Sequence, residues 1–214
     1  MLLVHGWAGR AGQFRKFIPK LLENNFRAVA FDGPAHGSSE GRQTNIQEFE
    51  AALHKIFEKV GIPIAAIAHS FGGVASIYSI RNGLPLTKLI NIASPTIGEE
   101  IINGFLKVIH ASPATGKAFK AYILKTFHIS FDELSALNLI TFLPHELKLM
   151  LVHDEEDKEV AIKHPLELQK AYLTAILFKT SGLGHSRILR DEAVIQKCVE
   201  FIQVDGNNTH RDAS

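Results

Sequence analysis

Ile64-Ala65-Ala66-Ile67-Ala68-His69-Ser70-Phe71-Gly72-Gly73 is the stretch on which the reading of this chain turns. An apolar run stops abruptly and a single hydroxyl follows. Small residues, Ala68 and Gly72, stand two before and two after it. A sharp turn from strand into helix needs such neighbours, because bulky side chains there would crowd it. The spacing predicts a strand over 64–68 and a helix over 70–81. Unpaired N–H groups and the positive dipole end of that helix would then face the serine hydroxyl. A serine so placed is either a helix cap, which its position alone favours, or an activated nucleophile. The rest of the chain has to choose.

Outward from this stretch, short apolar runs alternate with helical patterns. Strands are expected over 1–4, 28–31, 64–68, 88–92, 148–152 and 175–179. Each is nearly continuous in apolar residues, as for strands covered on both faces. Helices are expected over 12–24, 46–60, 70–81, 163–172 and 191–203. The first places Phe14, Phe17, Ile18, Leu21 and Leu22 on one face. Such alternation predicts an α/β fold with a mostly parallel sheet of about six strands.

Residues 95–144 break the rhythm. Stretches 101–109, 113–127 and 131–137 read as amphipathic helices, with Ser112-Pro113 as a helix start and Ser130 with Glu133 as a capping box. A helical insertion of this length between strands is expected to form a cap over a site. The core would then comprise 1–94 and 145–204. Between Glu100 and Asp132 lie Lys107, Lys117, Lys120, Lys125, His110 and His128, and no acidic residue. This pattern suits a solvated lysine face or, alternatively, an anionic substrate or surface.

At 214 residues, 46% of them hydrophobic, the chain can bury one sizeable core. A formal charge of +1 gives no overall pull toward nucleic acid or membrane. Cys198, the single cysteine, lacks an internal disulfide partner and reads as a core residue. No run reaches the length of a membrane span, and the apolar start is too short for a secretory leader. These features suit a cytoplasmic protein. Asn207-Asn208-Thr209 matches a glycosylation acceptor, taken as accidental here. The polar tail over 205–214 is expected to be disordered.

Serine hydroxyls are weak nucleophiles at neutral pH. They need a nearby base, a group that orients the base, and N–H donors for the developing oxyanion. His185 follows the last expected strand in Ser181-Gly182-Leu183-Gly184-His185, and flexible glycines suit a loop that reaches across to Ser70. Acids follow the preceding strand in His153-Asp154-Glu155-Glu156-Asp157. Asp157 is the expected orienting acid, with Asp154, Glu155 and Glu156 as close competitors. The order Ser70, acid, His185 is the one expected when all three follow parallel strands. Oxyanion donors would be the backbone N–H groups of Phe71 and of Trp7 in His5-Gly6-Trp7. A metal cluster of His153, Asp154, Asp157 and His164 fits no standard spacing. His5, His36 and His69 are expected to brace loops.

These landmarks, with Phe31-Asp32-Gly33-Pro34-Ala35-His36-Gly37-Ser38, resemble α/β-hydrolase-fold serine hydrolases of the carboxylesterase and lipase branch. The resemblance spans nearly the whole chain, and its pattern selects Asp157 as the acid. It implies a Ser70, Asp157, His185 triad, an oxyanion hole at Trp7 and Phe71, and no cofactor or metal. It also implies a small acyl substrate, expected to be an ester, and no stable membrane insertion. Carbon–carbon or thioester hydrolysis on the same triad, or a binding protein that kept the fold, are the alternatives. Ala68 and Ala35 stand where the family usually has glycine. Met1 falls inside the first strand, so the family's leading β-hairpin is expected to be absent. Strand 28–31 would then form a sheet edge, left bare by truncation or covered by another subunit in a homo-oligomer.

Overall fold

The computed structural model describes residues 1–204; the tail and the Asn207-Asn208-Thr209 acceptor lie outside the described residues. Six strands form one sheet among them: β1 Leu2–Val4, β2 Val29–Ala30, β3 Ala66–His69, β4 Lys88–Ile92, β5 Lys148–Asp154 and β6 Ile176–Thr180. Their order is β2-β1-β3-β4-β5-β6, and every pairing is parallel. Because side chains alternate across a strand, the apolar runs divide between two faces. Leu2, Val4, Ala66, Ala68, Leu89, Leu149 and Leu151 enter one core. Leu3, Ile67, Ile90, Ile92, Met150 and Val152 enter the other. Both faces are therefore covered, which accounts for the missing polar alternation.

Helices supply the two covers. On the first face lie α2 Ile46–Val60, α3 Phe71–Arg81 and, further along the chain, α7 Lys163–Ala171, contributing Phe49, Leu53, Ile77 and Leu168. On the second lie α1 Phe17–Glu23 and α9 Glu192–Gln203, contributing Phe17, Leu21, Val194, Cys198 and Val199. Polar side chains set two of the starts. Asn45 accepts from Glu48 N at 2.9 Å, and Asp191 accepts from Val194 N at 2.9 Å.

Two expected helices come out differently. Residues 12–24 divide into a 3-10 turn, Ala11–Phe14, and α1. Pro19 explains the break, since it lacks an N–H and its ring would clash with the carbonyl four residues back. It is tolerated only in a first turn, so the helix has to begin near Phe17. The helix expected over 131–137 is instead a turn over 131–134 followed by the short α6, Ala136–Leu139. The Ser130–Glu133 capping box does close, with Ser130 N to Glu133 Oε2 at 2.8 Å and Glu133 N to Ser130 Oγ at 3.2 Å. Ser135 then adopts an extended conformation and caps a second start. Two caps five residues apart leave room for a single turn between them.

The remaining insertion helices are α4 Gly98–Val108 and α5 Pro113–Phe127, which pack on each other. Ser112 caps α5 with proline at its start. Within the pair, Ile102 and Leu106 of α4 are buried over Gly116 of α5. Phe105, Phe119 and Phe131 form a ring row with centroid spacings of 6.5 and 6.0 Å. Polar contacts tie this region to α7: Thr96 N donates to His164 Nδ1 at 2.8 Å, and Glu100 faces both Lys163 and His164. Ala136, Leu139, Ile140 and Leu143, by contrast, pack into the core beside α3. Strand β2 lies at the sheet edge and is two residues long.

Candidate active site

Parallel strands deliver their carboxyl ends to one side of the sheet. There β3 runs into Ser70, β5 into the loop of Asp157, and β6 into the short α8, Gly184–Arg187, that carries His185. Ser70 adopts φ 53°, ψ −124°, a region that L-residues occupy only when their surroundings impose it. Its N–H donates to Ile92 O at 2.8 Å, and its carbonyl accepts from Gly73 N at 3.0 Å. Gly72 permits the close approach of α3 to β1, since a Cβ there would stand 2.5 Å from Val4 O and His5 O.

The three expected chemical groups meet in one line. His185 Nε2 stands 3.1 Å from Ser70 Oγ, and His185 Nδ1 stands 2.8 Å from Asp157 Oδ2. Asp157 is therefore the acid on His185. Its other oxygen accepts from Glu159 N at 2.8 Å and Val160 N at 2.9 Å. Burial alone would push the Asp157 carboxyl up. The hydrogen bond from His185 and those from Val160 and Glu159 outweigh it and hold the group below the usual carboxylate range. Asp157 thus stays ionised and directs the Nδ1 proton toward itself, leaving Nε2 free to accept from the serine.

Competing acids have other employment. Asp154 accepts from Thr180 Oγ1 at 2.8 Å and Leu183 N at 3.0 Å, fixing the base of the loop that carries His185. Glu155 pairs with Lys179, and Glu156 accepts from Ser181. His153 Nε2 donates to Val160 O at 2.8 Å, and His164 Nδ1 accepts from Thr96 N. His153 Nε2 also lies 3.8 Å from Asp157 Oδ2, and among the described residues no three such side chains come together as a metal-binding group.

The loop after β1 lies against the serine. A Cβ on Gly6 would come within 2.9 Å of Ser70 Cβ. Trp7 is more than half exposed, and its ring meets Phe71 edge-on at 5.2 Å and His36 at 5.5 Å. Phe71 is the first residue of α3, where an N–H has no intrahelical acceptor. All five sequence-derived residues therefore converge on one place.

The histidines expected to brace loops do so. His5 Nε2 accepts from Gly33 N at 2.8 Å, and His36 Nε2 accepts from Ala8 N at 3.2 Å. Ala35 takes φ 57°, the left-handed conformation that glycine ordinarily supplies. His69 Nε2 donates to His185 O at 2.9 Å, steadying His185 from behind. Its burial, then the nearby His185, lower it to about 4, so it stays neutral at pH 7. Glu159 was missed by sequence reasoning; its Oε2 lies 3.9 Å from His185 Nε2. So were Asn91 and Ser94 behind the serine. Asparagine inside the apolar run Leu89-Ile90-Asn91-Ile92 was the available signal.

Known proteins agree with this architecture. A carboxylesterase of Nitrososphaera gargenis superposes with a TM-score of 0.73 at 16% identity, covering 97% of this chain and 90% of that one. A Pyrococcus furiosus esterase gives 0.70 at 19% identity, covering 94% and 80%. The thioesterase domain of a curacin biosynthetic pathway gives 0.66 at 15% identity, covering 94% and 89%. A serine hydrolase-like protein of Danio rerio is 35% identical over 85 residues, 37% of this chain and 26% of that relative. The match thus spans about a quarter of that relative's length. Residues 1–197 match the model of the alpha/beta hydrolase family, and the chain belongs to that family.

Proposed function

We propose that the protein is a cofactor-free serine hydrolase acting on carboxylic esters. The observation that carries this reading is the continuous line from Ser70 Oγ through His185 to Asp157, at 3.1 and 2.8 Å. In this reading Ser70 Oγ attacks the acyl carbon while His185 Nε2 takes its proton. Asp157 fixes the imidazole tautomer and stabilises the imidazolium. The N–H groups of Trp7 and Phe71 hold the oxyanion. The alcohol departs with the proton from His185, leaving an acyl group on Ser70. Water, deprotonated by His185, then attacks that acyl group and frees the acid and the serine.

Helices α4 and α5 act as the cap in this proposal, and their side chains select the acyl group. Lys120 is paired with Glu99, and the lysines at 107, 117 and 125 favour an anionic group on the substrate or a nearby anionic surface. The edge strand β2 offers a second copy of the chain a place to pair.

A fluorophosphonate probe tests the chemistry directly. The expected result is one covalent adduct on Ser70, found by peptide mass spectrometry and absent from Ser70→Ala. Folded wild-type protein that takes no label, or a Ser70→Ala protein with full ester hydrolysis, would overturn the reading.

A further inference from the structure

Asn91 is out of place chemically. It sits in β4 between Ile90 and Ile92, opposite Ala68 of β3, and is 2% exposed. A primary amide inside an apolar strand costs free energy unless its oxygen and its two protons find partners. The surroundings hold a contradiction. Ser94 Oγ lies 2.6 Å from the main-chain oxygen of Ser70 and also against Asn91 Oδ1, while Asn91 Nδ2 is buried with no partner. One hydroxyl proton cannot serve two oxygens.

A half-turn of the Asn91 amide removes both faults, since its nitrogen and oxygen exchange places at little change in shape. Nδ2 then donates to Ser94 Oγ, and Ser94 gives its proton to Ser70 O. The amide oxygen takes the orphaned position, where a carbonyl without a donor costs less than an N–H without an acceptor. We propose that Asn91 and Ser94 form a relay, Asn91 Nδ2–H to Ser94 Oγ–H to Ser70 O, that holds the serine's main chain in its strained conformation. The relay rests on Ser70 being the nucleophile, and both residues are positioning residues.

Two further observations support it. The Ser70 conformation persists only if its surroundings over-determine it, and both of its main-chain groups are tied to the end of β4, its N–H to Ile92 O and its carbonyl to Ser94. Helix α3 also yields space for the pair. A Cβ on Gly73 would lie 2.0 Å from both Asn91 Oδ1 and Ser94 Oγ, so a side chain at 73 and the relay exclude each other.

Steady-state hydrolysis of an activated ester by Ser94→Ala, Ser94→Thr and Asn91→Asp, with fluorophosphonate labelling rates, tests the relay. Ser94→Ala is expected to lower kcat about tenfold with KM unchanged. Ser94→Thr keeps the hydroxyl and restores most of kcat. Asn91→Asp has no proton to donate when ionised and one when protonated. Its kcat relative to wild type should therefore climb as pH falls while its circular dichroism stays at the wild-type value, whereas a merely structural role would lose folded signal and activity together. Wild-type kcat in folded Ser94→Ala overturns the relay. Should that variant fail to fold, a pH-independent ratio for Asn91→Asp overturns it alone. Wild-type protein that takes no label fails the nucleophile reading and the relay with it. A labelled wild type with indifferent variants fails the relay only.

Discussion

The serine turn and the α4–α5 pair are built on opposite terms. Around Ser70 the N–H, the carbonyl and the hydroxyl each have a partner, and α3 behind it is buried from Gly72 to Ile80. In α5, Gly116 is the residue that is buried, while Tyr122 and Leu124 are more than half exposed. A fixed main chain suits the role proposed for Ser70, because a nucleophile misplaced by an ångström loses much of its advantage. A loosely seated helix pair suits substrate choice, since its surface can change without disturbing the sheet. In the proposed reading, reaction chemistry and selectivity therefore sit on parts of the chain with different tolerance to substitution.

Asp157→Asn should strain that contrast most. Its amide cannot enforce the imidazole tautomer, so kcat for ester hydrolysis is expected to fall about 10³–10⁴-fold with the fold retained. A loss below tenfold in steady-state assays would mean that the serine region is not organised as described.

Acid should act next. His69 ordinarily titrates near 6.5 and is lowered to about 4 by burial. The folded protein thus binds fewer protons than the unfolded chain between those values. Stability from His69 is full above about 6.5 and declines as pH falls toward 4, by about 3 kcal/mol at most. Burial lowers His5, His153 and His164 in the same direction. Urea unfolding at pH 7.5 and pH 5 should therefore show a marked loss, smaller in His69→Gln. Equal slopes in the two proteins would contradict a neutral, buried His69.

Smallest is the effect expected in the helix pair. Phe119→Ala removes a ring that is 39% exposed, so stability should change by less than about 1 kcal/mol. Turnover of a short-chain ester should stay at the wild-type value, and a tenfold drop would show that α5 helps to hold the serine region.

Much of this organisation is legible in residue order. Apolar runs place all six strands, because a sheet covered on both faces leaves an unbroken hydrophobic record. Ser70 and His185 are readable because a tight turn demands small neighbours and both follow apolar runs, β3 and β6; Asp157 is singled out from its acidic neighbours only by the family resemblance. What escaped depends on distance in space. The start of α1 at Phe17, set by Pro19 in its first turn, is local chemistry that a face-by-face count passes over. The double start at Ser130 and Ser135 is likewise hidden by a continuous helical period. Asn91 and Ser94 meet Ser70 across the strand boundary, and no periodicity announces that meeting. Glu159 stands in a charged run whose members look interchangeable until the loop is folded.

Ser70 and His185 are 115 residues apart in sequence, whereas His185 and Asp157 are 28 apart. Asp157 and His185 follow neighbouring strands, β5 and β6, yet Ser70 joins them only across the sheet. A growing chain that ends after α7 carries the serine turn but lacks the imidazole that would activate it. Non-local pairing of this kind is slow to form, so turnover should appear late in refolding, behind the helical signal. Activity is then a clock for the last event in folding, and a stricter test of a finished molecule than its secondary structure.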